Sequence, residues 1–292
     1  MEVLVIGGTG TTGSEVVRGL LRRGIGTRVL VRSPEKAAKL PEGARAVAGD
    51  LRQEASLDAA FRGADAVFLL NALSQDETAQ GLAAVNAARR NGIAHVVYMS
   101  VHRLREAAHI PHFATKIPVE DALRDAGLAW TFLQPNNFFQ NDFWFAEAIT
   151  RYGVYPQPIG SAGTSRVDVR DIADAAVNAL AKPEFGGQAW PLVGPDILTG
   201  EQVAAIYTRH LGREVCYAGD DLDAFAAQAG RMLPEWLVQD LRVMYGYFQK
   251  HGLKATPEEL ERCAMVVGHP PRSFDAWVAE AVPSWKAMAA GQ

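Results

Sequence analysis

Short apolar runs alternate with longer amphipathic stretches along the first half of the chain. The runs are rich in β-branched residues: VLVI at 3–6, RVLVR at 28–32, DAVFLL at 65–70, HVVYMS at 95–100 and AWTFLQ at 129–134. Continuously apolar strands that are separated by helices are typical of a parallel sheet covered on both faces. Gly24 and Gly63 end two of the intervening helical stretches, where a left-handed cap is needed. The pattern predicts a doubly wound α/β domain.

This alternation loosens after about residue 135, and helical patterns then dominate. Two strand-like runs, at 189–193 and 214–218, are inserted between these helices. We therefore predict an α/β domain over 1–150 that is rejoined by parts of 165–195. A smaller, mostly helical C-terminal lobe over 151–292 is expected to serve a substrate or a partner.

Composition and charge exclude several classes of protein. The 292 residues are 48% hydrophobic and 21% charged, which is ordinary for a globular chain with a large core. The net charge is −4 and no Lys/Arg run exceeds two residues, so a nucleic-acid partner is not expected. No apolar run approaches the roughly 18 residues of a membrane span, and we expect no leader because the first strand-like run begins at Glu2. Cys216 and Cys263 suggest neither a disulfide framework nor a metal site, and a reducing cytoplasm fits.

A glycine-rich turn follows the first strand-like run directly. The segment VLVIGGTGTTGSEVV places Gly7, Gly10 and Gly13 between that run and the first helical stretch. In this context Gly7 permits a tight turn, Gly10 lets the backbone approach a pyrophosphate, and Gly13 allows the helix to pack closely on the strand. Hydroxyl groups flank the same turn, at Thr9, Thr11 and Thr12. The turn therefore predicts a dinucleotide site, and a purely structural Gly turn is the alternative.

The GxxGxxG spacing resembles that of the short-chain dehydrogenase/reductase superfamily. Later segments narrow the resemblance to its NmrA-like, atypical branch: VLVRSPEKAAKL, VAGDL, VYMS, HFATKIPVEDALRDAGLAWTFLQPNNFFQN, VDVRDIADAAVNAL and LTGEQVAAIYTRHLGREV. They follow the order and approximate spacing of that family along nearly the whole chain. The resemblance implies an NAD(P)-binding Rossmann sheet with a C-terminal substrate lobe.

Basic residues at the end of the second strand-like run favour NADP. A carboxylate there would bind the ribose of NAD, whereas this chain has Arg32 and, four positions on, Lys36. An exposed basic turn without a ligand is the alternative. Asp50 and Leu51 resemble the adenine-contacting pair of the family, and Asp50 is also a candidate N-cap.

The carboxyl ends of later strands carry the other ligand candidates, because open α/β sheets bind ligands there. We expect cofactor contacts from Asn71, Ala72, Pro135 and Asn136. The family resemblance implies that the following segment lines the substrate pocket, and the candidates are Asn137, Phe138, Asn141 and Trp144. Gln134 replaces the Arg usual in the family. The alternative is that the aromatic residues form a seam joining the two lobes.

The segment IPHFATK occupies the place of the catalytic Tyr and Lys of ordinary family members. No Tyr in the chain has a Lys four residues later; His112 stands instead twelve residues after Ser100, and Lys116 follows four residues later. The resemblance implies catalytic roles for Ser100, His112 and Lys116, with Lys116 also on the nicotinamide ribose. Imidazole titrates near neutrality, so His112 is a candidate proton donor. Against this, Lys116 could pair with Glu120 as an ordinary surface pair.

Pro118 also bears on this geometry. It would break a helix already under way, so His112 and Lys116 share one helical face only if the helix begins near Thr115.

Two functions remain open from the sequence. The first is an NADPH-dependent reductase that passes hydride to a small conjugated acceptor such as a quinone, with the proton taken from water. The second is a non-catalytic NADP(H)-binding redox sensor that acts through a protein partner. For either we expect a monomer or homodimer without a bound metal.

Replacing Arg32 with alanine tests the predicted cofactor preference. We expect NADPH affinity to fall by about 1–3 kcal/mol, because a charge-assisted hydrogen bond to the 2′-phosphate is lost. NADH affinity should change little, and calorimetric titration of both cofactors measures the difference. An equal loss for the two cofactors would show that Arg32 does not contact the 2′-phosphate.

Overall fold

The structure, a computed structural model, describes residues 1–290, which divide into two compact units. The first unit comprises Met1–Pro135, Val169–Leu192 and Glu261–Pro270. The second comprises Asn136–Asp168, Val193–Leu260 and the segment from Pro271 onward. The sequence boundary at residue 150 stays a prediction.

Strands provide the framework of the first unit. Within residues 1–290 the strands are β1 (Glu2–Ile6), β2 (Gly26–Val31), β3 (Arg45–Ala48), β4 (Ala66–Leu69), β5 (His95–Met99), β6 (Ala129–Pro135), β7 (Val154–Tyr155), β8 (Gln188–Leu192) and β9 (Cys216–Tyr217). Seven of them form one parallel sheet in the order β3-β2-β1-β4-β5-β6-β8, while β7 and β9 pair in the second unit. The parallel sheet confirms the predicted doubly wound α/β fold.

Helices cover the sheet and make up most of the second unit. They are α1 (Thr11–Arg22), α2 (Pro34–Ala37), α3 (Glu54–Phe61), α4 (Glu77–Arg90), α5 (Pro111–Ala114), α6 (Ile117–Asp125), α7 (Val169–Ala181), α8 (Gly200–Leu211), α9 (Leu222–Ala229), α10 (Glu235–His251), α11 (Pro257–Val267) and α12 (Phe274–Ala290). Short 3-10 turns span Phe139–Phe145 and Pro183–Phe185, and a π-turn spans Ala148–Tyr152. None of the helices within the described residues combines the length and apolar character that a membrane span requires.

The strand order reverses beside β1. From β1 the chain runs outward through β2 to β3, and it then returns to β4 on the other side of β1. The apolar residues of β1 and β4 are buried, with Leu4 and Phe68 both at 0% exposure. Ligands of open α/β sheets bind beyond the carboxyl ends of the strands at such a reversal. The fold therefore indicates the carboxyl ends of β1 and β4 as the place where a cofactor would bind.

The two sheet edges have different character. At one edge β3 has four residues, and three of them are exposed, so it lacks the apolar run that marks the other strands. At the other edge β8 is the strand-like run predicted at 189–193, and it pairs in parallel with β6. Trp190 and Leu192 of β8 are buried, while Pro191 lies between them.

A buried ion pair lies inside the second unit. Arg166 and Asp142 both have fully buried side chains, and the guanidinium contacts the carboxylate through Nη2–Oδ1 at 2.7 Å and Nη1–Oδ2 at 3.1 Å. Asp142 also accepts hydrogen bonds from Gln157 and, at 2.7 Å, from the hydroxyl of Tyr207. Burial and the neighbouring carboxylate raise the pKa of Tyr207 well above its usual value, which keeps that hydroxyl protonated as a donor.

Removal of the Asp142 carboxylate should destabilise the protein strongly. Asp142→Ala leaves the buried Arg166 charge without its partner, and we expect a loss of about 3–5 kcal/mol in the free energy of unfolding. Glu147→Ala is the control, because Glu147 and Arg151 form an exposed pair, with exposures of 66% and 64%, that should be worth about 1 kcal/mol or less. Urea denaturation measures both values. Equal losses would mean that the buried pair is not central to stability.

Candidate functional site

The glycines of the turn after β1 differ in what they contact. Gly7 has a φ of 78°, and a Cβ on it would lie 2.6 Å from the carbonyl oxygen of Leu70. A Cβ on Gly13 would lie 2.2 Å from the carbonyl oxygen of Gly7. Gly10 is different, because its Cβ would meet only that same oxygen, at 3.4 Å. The packing of the described residues thus requires Gly7 and Gly13, whereas Gly10 is free to face a ligand.

The same turn opens α1. Gly10 is the N-cap of α1. Its N–H donates to the Gly7 carbonyl at 3.0 Å, and its own carbonyl accepts from the Ser14 N–H at 2.9 Å. The first-turn amides of a helix have no intrahelical acceptor and carry a positive dipole, so they suit a phosphate. Thr9 and Thr11 are exposed beside them, whereas Thr12 is buried.

Arg32 and Lys36 follow β2 as predicted. Both side chains are exposed, and Lys36 lies on the short helix α2. Across the part of the chain that the structure describes, neither side chain forms an ion pair or hydrogen bond. Two unpaired cations at the end of β2 are compatible with a 2′-phosphate.

Asp50 has a local structural role after β3. Its Oδ1 accepts a hydrogen bond from the Arg52 N–H at 3.0 Å, which closes a tight turn of the Asx type. The following helix α3 has Gln53 as its N-cap, so the predicted capping role of Asp50 is wrong. Contact of Asp50 and Leu51 with adenine stays a prediction.

Asn71 follows β4 and faces the strand reversal. Its side chain is 5% exposed, and its Nδ2 donates to the backbone oxygen of Glu77 at 3.5 Å. Its Oδ1 is buried without a hydrogen-bond partner among the described residues. A buried acceptor that lacks a donor costs about 1–3 kcal/mol, and a ribose hydroxyl or a carboxamide would supply the donor. Together with Gly10, this oxygen fits a dinucleotide at the predicted place, and Ala72 is exposed beside it.

Lys116 forms an ion pair that the sequence did not indicate. Its Nζ lies 2.6 Å from Oε1 of Glu77, and the side chains are 12% and 2% exposed. Thr115 Oγ1 donates to the other oxygen of the same carboxylate at 3.1 Å. The predicted pairing of Lys116 with Glu120 is therefore wrong. Glu77 begins α4, 39 residues away from Lys116, so no local spacing could reveal the pair.

Glu120 is instead the centre of a second buried group. Its Oε1 accepts from Ser100 Oγ at 2.6 Å and from Gln134 Nε2 at 3.2 Å, and its Oε2 lies 3.0 Å from Nη2 of Arg124. Arg124 thus neutralises the carboxylate from the same helix, and Gln134 adds a neutral hydrogen bond in place of the family's usual Arg. The Ser100 hydroxyl is committed to this carboxylate, and its catalytic role stays a prediction.

A two-residue turn joins the short helix that carries His112 to the helix that follows Lys116. α5 ends at Ala114, Thr115 and Lys116 have right-handed helical backbone angles, and α6 begins at Ile117. Pro118 falls in the first turn of α6, where its missing N–H has no acceptor to lose. His112 thus lies on α5 and Lys116 is the N-cap of α6, so that the shared face of the two side chains stays a prediction.

The substrate candidates lie on one segment of the second unit. Asn137 Oδ1 accepts from Nε of Arg166 at 3.0 Å, and the Phe138 carbonyl accepts from Nη2 at 2.7 Å. Asn136 donates to the Leu253 carbonyl at 2.7 Å. The buried guanidinium fixes the backbone that carries these residues.

The aromatic residues of this segment divide into two groups. Phe139 is fully buried, and Phe143 packs against Trp277 and Trp285 at ring distances of 5.8 Å. Trp144 is 77% exposed and Asn141 is half-buried. Within the second unit, Phe139 and Phe143 thus have packing roles of their own, whereas Trp144 has none.

One cluster of polar residues in the first unit was not anticipated. Single ligand atoms of Asp171, Asp174 and His269 lie within 4.8 Å of one another, and His269 Nε2 is 3.1 Å from Asp174 Oδ2. Asp171 and Asp174 are one turn apart on α7, but His269 is distant in sequence. Such groups are also common without an ion, and the predicted lack of a metal stays a prediction.

Known proteins resemble the whole chain. The sequence model of the NmrA-like family matches residues 1–270. The NAD(P)H azoreductase of Xenophilus azovorans is 36% identical over 274 residues, which cover 93% of this chain and 95% of the relative. The (4-alkanoyl-5-oxo-2,5-dihydrofuran-3-yl)methyl phosphate reductase of Streptomyces griseus is 33% identical over 284 residues, 95% and 97% of the two chains.

A solved structure supports the fold independently. The NADPH-dependent quinone oxidoreductase of Escherichia coli, crystallised with NADPH, superposes with a TM-score of 0.85. The match covers 96% of this chain and 99% of that one at 24% identity.

Two glycine variants distinguish a ligand role from a packing role. Gly10→Val should lose NADPH binding, since its side chain occupies the space of a pyrophosphate, while the free energy of unfolding falls by about 1 kcal/mol or less. Gly13→Val should instead destabilise the fold severely, because its Cβ clashes with the Gly7 backbone. Calorimetric titration and urea denaturation provide the two readouts. Normal NADPH binding by Gly10→Val would mean that the pyrophosphate binds elsewhere.

Proposed function

Because this chain belongs to the NmrA-like family, we propose that it is an NADPH-dependent oxidoreductase that reduces a small conjugated acceptor such as a quinone. The observation that carries the proposal is the set of residues just beyond the carboxyl ends of β1 and β4. There, an open backbone at Gly10 and a buried acceptor on Asn71 accompany Lys116, which takes the place of the family's Lys. Two relatives that match over more than 90% of their length carry the names of reductases.

The residues of the first unit divide the work of binding the cofactor. The turn around Gly10 and the first amides of α1 hold the pyrophosphate. Arg32 and Lys36 contact the 2′-phosphate, and Asn71 and Lys116 contact the nicotinamide ribose. NADPH supplies the hydride when it is bound. The contribution of the protein is to orient the cofactor and the acceptor in a reactive geometry.

No firmly placed acid is required for such acceptors. The tyrosine beside Lys116 is Tyr98, whose ring centroid lies 5.9 Å from Nζ. Burial raises the pKa of Tyr98 well above its usual value, and the carboxylates of Glu77 and Glu120 raise it further. A phenol that holds its proton so firmly is a poor donor. Quinones and other conjugated acceptors take hydride first and gain their proton from water, so the site remains competent.

The acceptor contacts remain those expected from the sequence, namely Asn137, Phe138, Asn141 and Trp144. An exposed indole such as Trp144 suits stacking on a flat ring. We also propose a cytoplasmic location and a monomer or homodimer. A sensor that acts through a protein partner has less support, because the two relatives at 36% and 33% identity are both named as reductases.

Turnover of quinones by NADPH tests the proposal directly. We expect quinone reduction to stay within a few fold of wild type in His112→Phe, because hydride transfer to a quinone needs no protein acid. A rate loss of roughly a hundredfold with intact NADPH affinity would instead identify His112 as a general acid. If NADPH binds but no quinone, imine or enone is reduced, the protein is a sensor.

A further inference from the structure

Both oxygens of the Glu77 carboxylate contact the segment that carries Lys116. Oε1 accepts from Lys116 Nζ at 2.6 Å, and Oε2 lies 3.1 Å from Thr115 Oγ1, whose single proton is shared with the His112 carbonyl at 2.8 Å. With 2% exposure the side chain has almost no contact with water. An ionised carboxylate at such a depth is costly unless it is paired and hydrogen-bonded, and the two neighbouring residues provide both.

The start of α4 joins this segment to the strand reversal. Thr78 Oγ1 donates to the Thr115 carbonyl at 2.8 Å, and the Glu77 carbonyl accepts from Asn71 Nδ2 at 3.5 Å. Residues 77 and 78 therefore fix the backbone of residue 115 relative to the end of β4. Glu77 is the first residue of α4, where the helix dipole favours a negative charge.

Lys116 keeps donors to spare in this arrangement. An ammonium has three N–H groups, and the pairing with Glu77 uses one of them. The side chain is 12% exposed, and two of its N–H groups are left for a ligand. A lysine has a flexible four-carbon stem, and holding it at one place before a ligand arrives lowers the entropic cost of binding.

We propose that Glu77 is a positioning residue that holds the Lys116 ammonium for the hydroxyl groups of the nicotinamide ribose. This inference rests on the proposed function, because it requires that Lys116 contacts the cofactor. Glu77 itself touches neither cofactor nor acceptor. Its effect on binding and turnover is therefore exerted only through Lys116.

A double-mutant cycle tests this dependence. We expect Glu77→Gln to weaken NADPH binding about tenfold and to lower kcat, and Lys116→Met to have an equal or larger effect. The double variant should be within roughly twofold of Lys116→Met alone, because Glu77 has nothing left to position. NADPH affinity by calorimetry and quinone turnover are measured at a temperature where thermal unfolding shows every variant folded. If Glu77→Gln does not fold, Glu77→Asp replaces it, because it withdraws the carboxylate while keeping its charge.

Thr78→Val is the matched control. It removes the neighbouring hydrogen bond between α4 and residue 115 but leaves the carboxylate of Glu77 in place. We expect it to lower stability slightly with NADPH affinity near that of wild type.

Three results would overturn the inference. The first is a Glu77→Gln variant with wild-type NADPH affinity. The second is a double variant in which the fold-losses of affinity from Glu77→Gln and Lys116→Met multiply. The third is a Thr78→Val variant that loses as much NADPH affinity as Glu77→Gln. Failure of the wild-type protein to bind NADPH would instead overturn the proposed function.

Discussion

The turn after β1 packs against its neighbours without any intervening side chain. Gly7 lies directly on the Leu70 carbonyl at the end of β4, and Gly13 lies directly on Gly7. These two contacts set how close α1 comes to the sheet at the strand reversal. The position of the first-turn amides, and of Asn71 one residue beyond Leu70, follows from them. The contacts of Gly7 and Gly13 thus position the first-turn amides of α1 and Asn71 in the proposed cofactor site.

Charges in the first unit fall into two classes with different physical roles. Glu77 and Glu120 are buried, and each is balanced by a cation and further donors. Such pairs contribute little net stability compared with apolar packing, but they fix orientation. Arg32 and Lys36 are exposed and unpaired among the described residues, which is compatible with an anionic ligand.

The sequence predicted the features that depend on neighbouring residues. The apolar runs predicted the parallel sheet, and the spacing of Gly7, Gly10 and Gly13 predicted the turn after β1. The sequence also assigned the tight turn to Gly7, the approach to a pyrophosphate to Gly10 and the helix packing to Gly13, but it could not show which atoms Gly7 and Gly13 contact. The partner of Lys116 was missed because Glu77 lies in another helix, at a position where an acid usually stabilises the helix dipole. The capping role of Asp50 was a mistaken local inference, because the turn at Arg52 intervenes.

The two edge strands limit how copies of this chain can associate. At one edge Pro191 of β8 has no N–H to offer to a further strand. At the other, β3 is only four residues long, and its Arg45 is drawn into an ion pair with Glu2 at 2.5 Å. Short edge strands, charges and prolines oppose pairing between sheets. Edge-to-edge pairing of sheets from two copies is thus disfavoured at both edges. Fibrous aggregation through such pairing is disfavoured for the same reason.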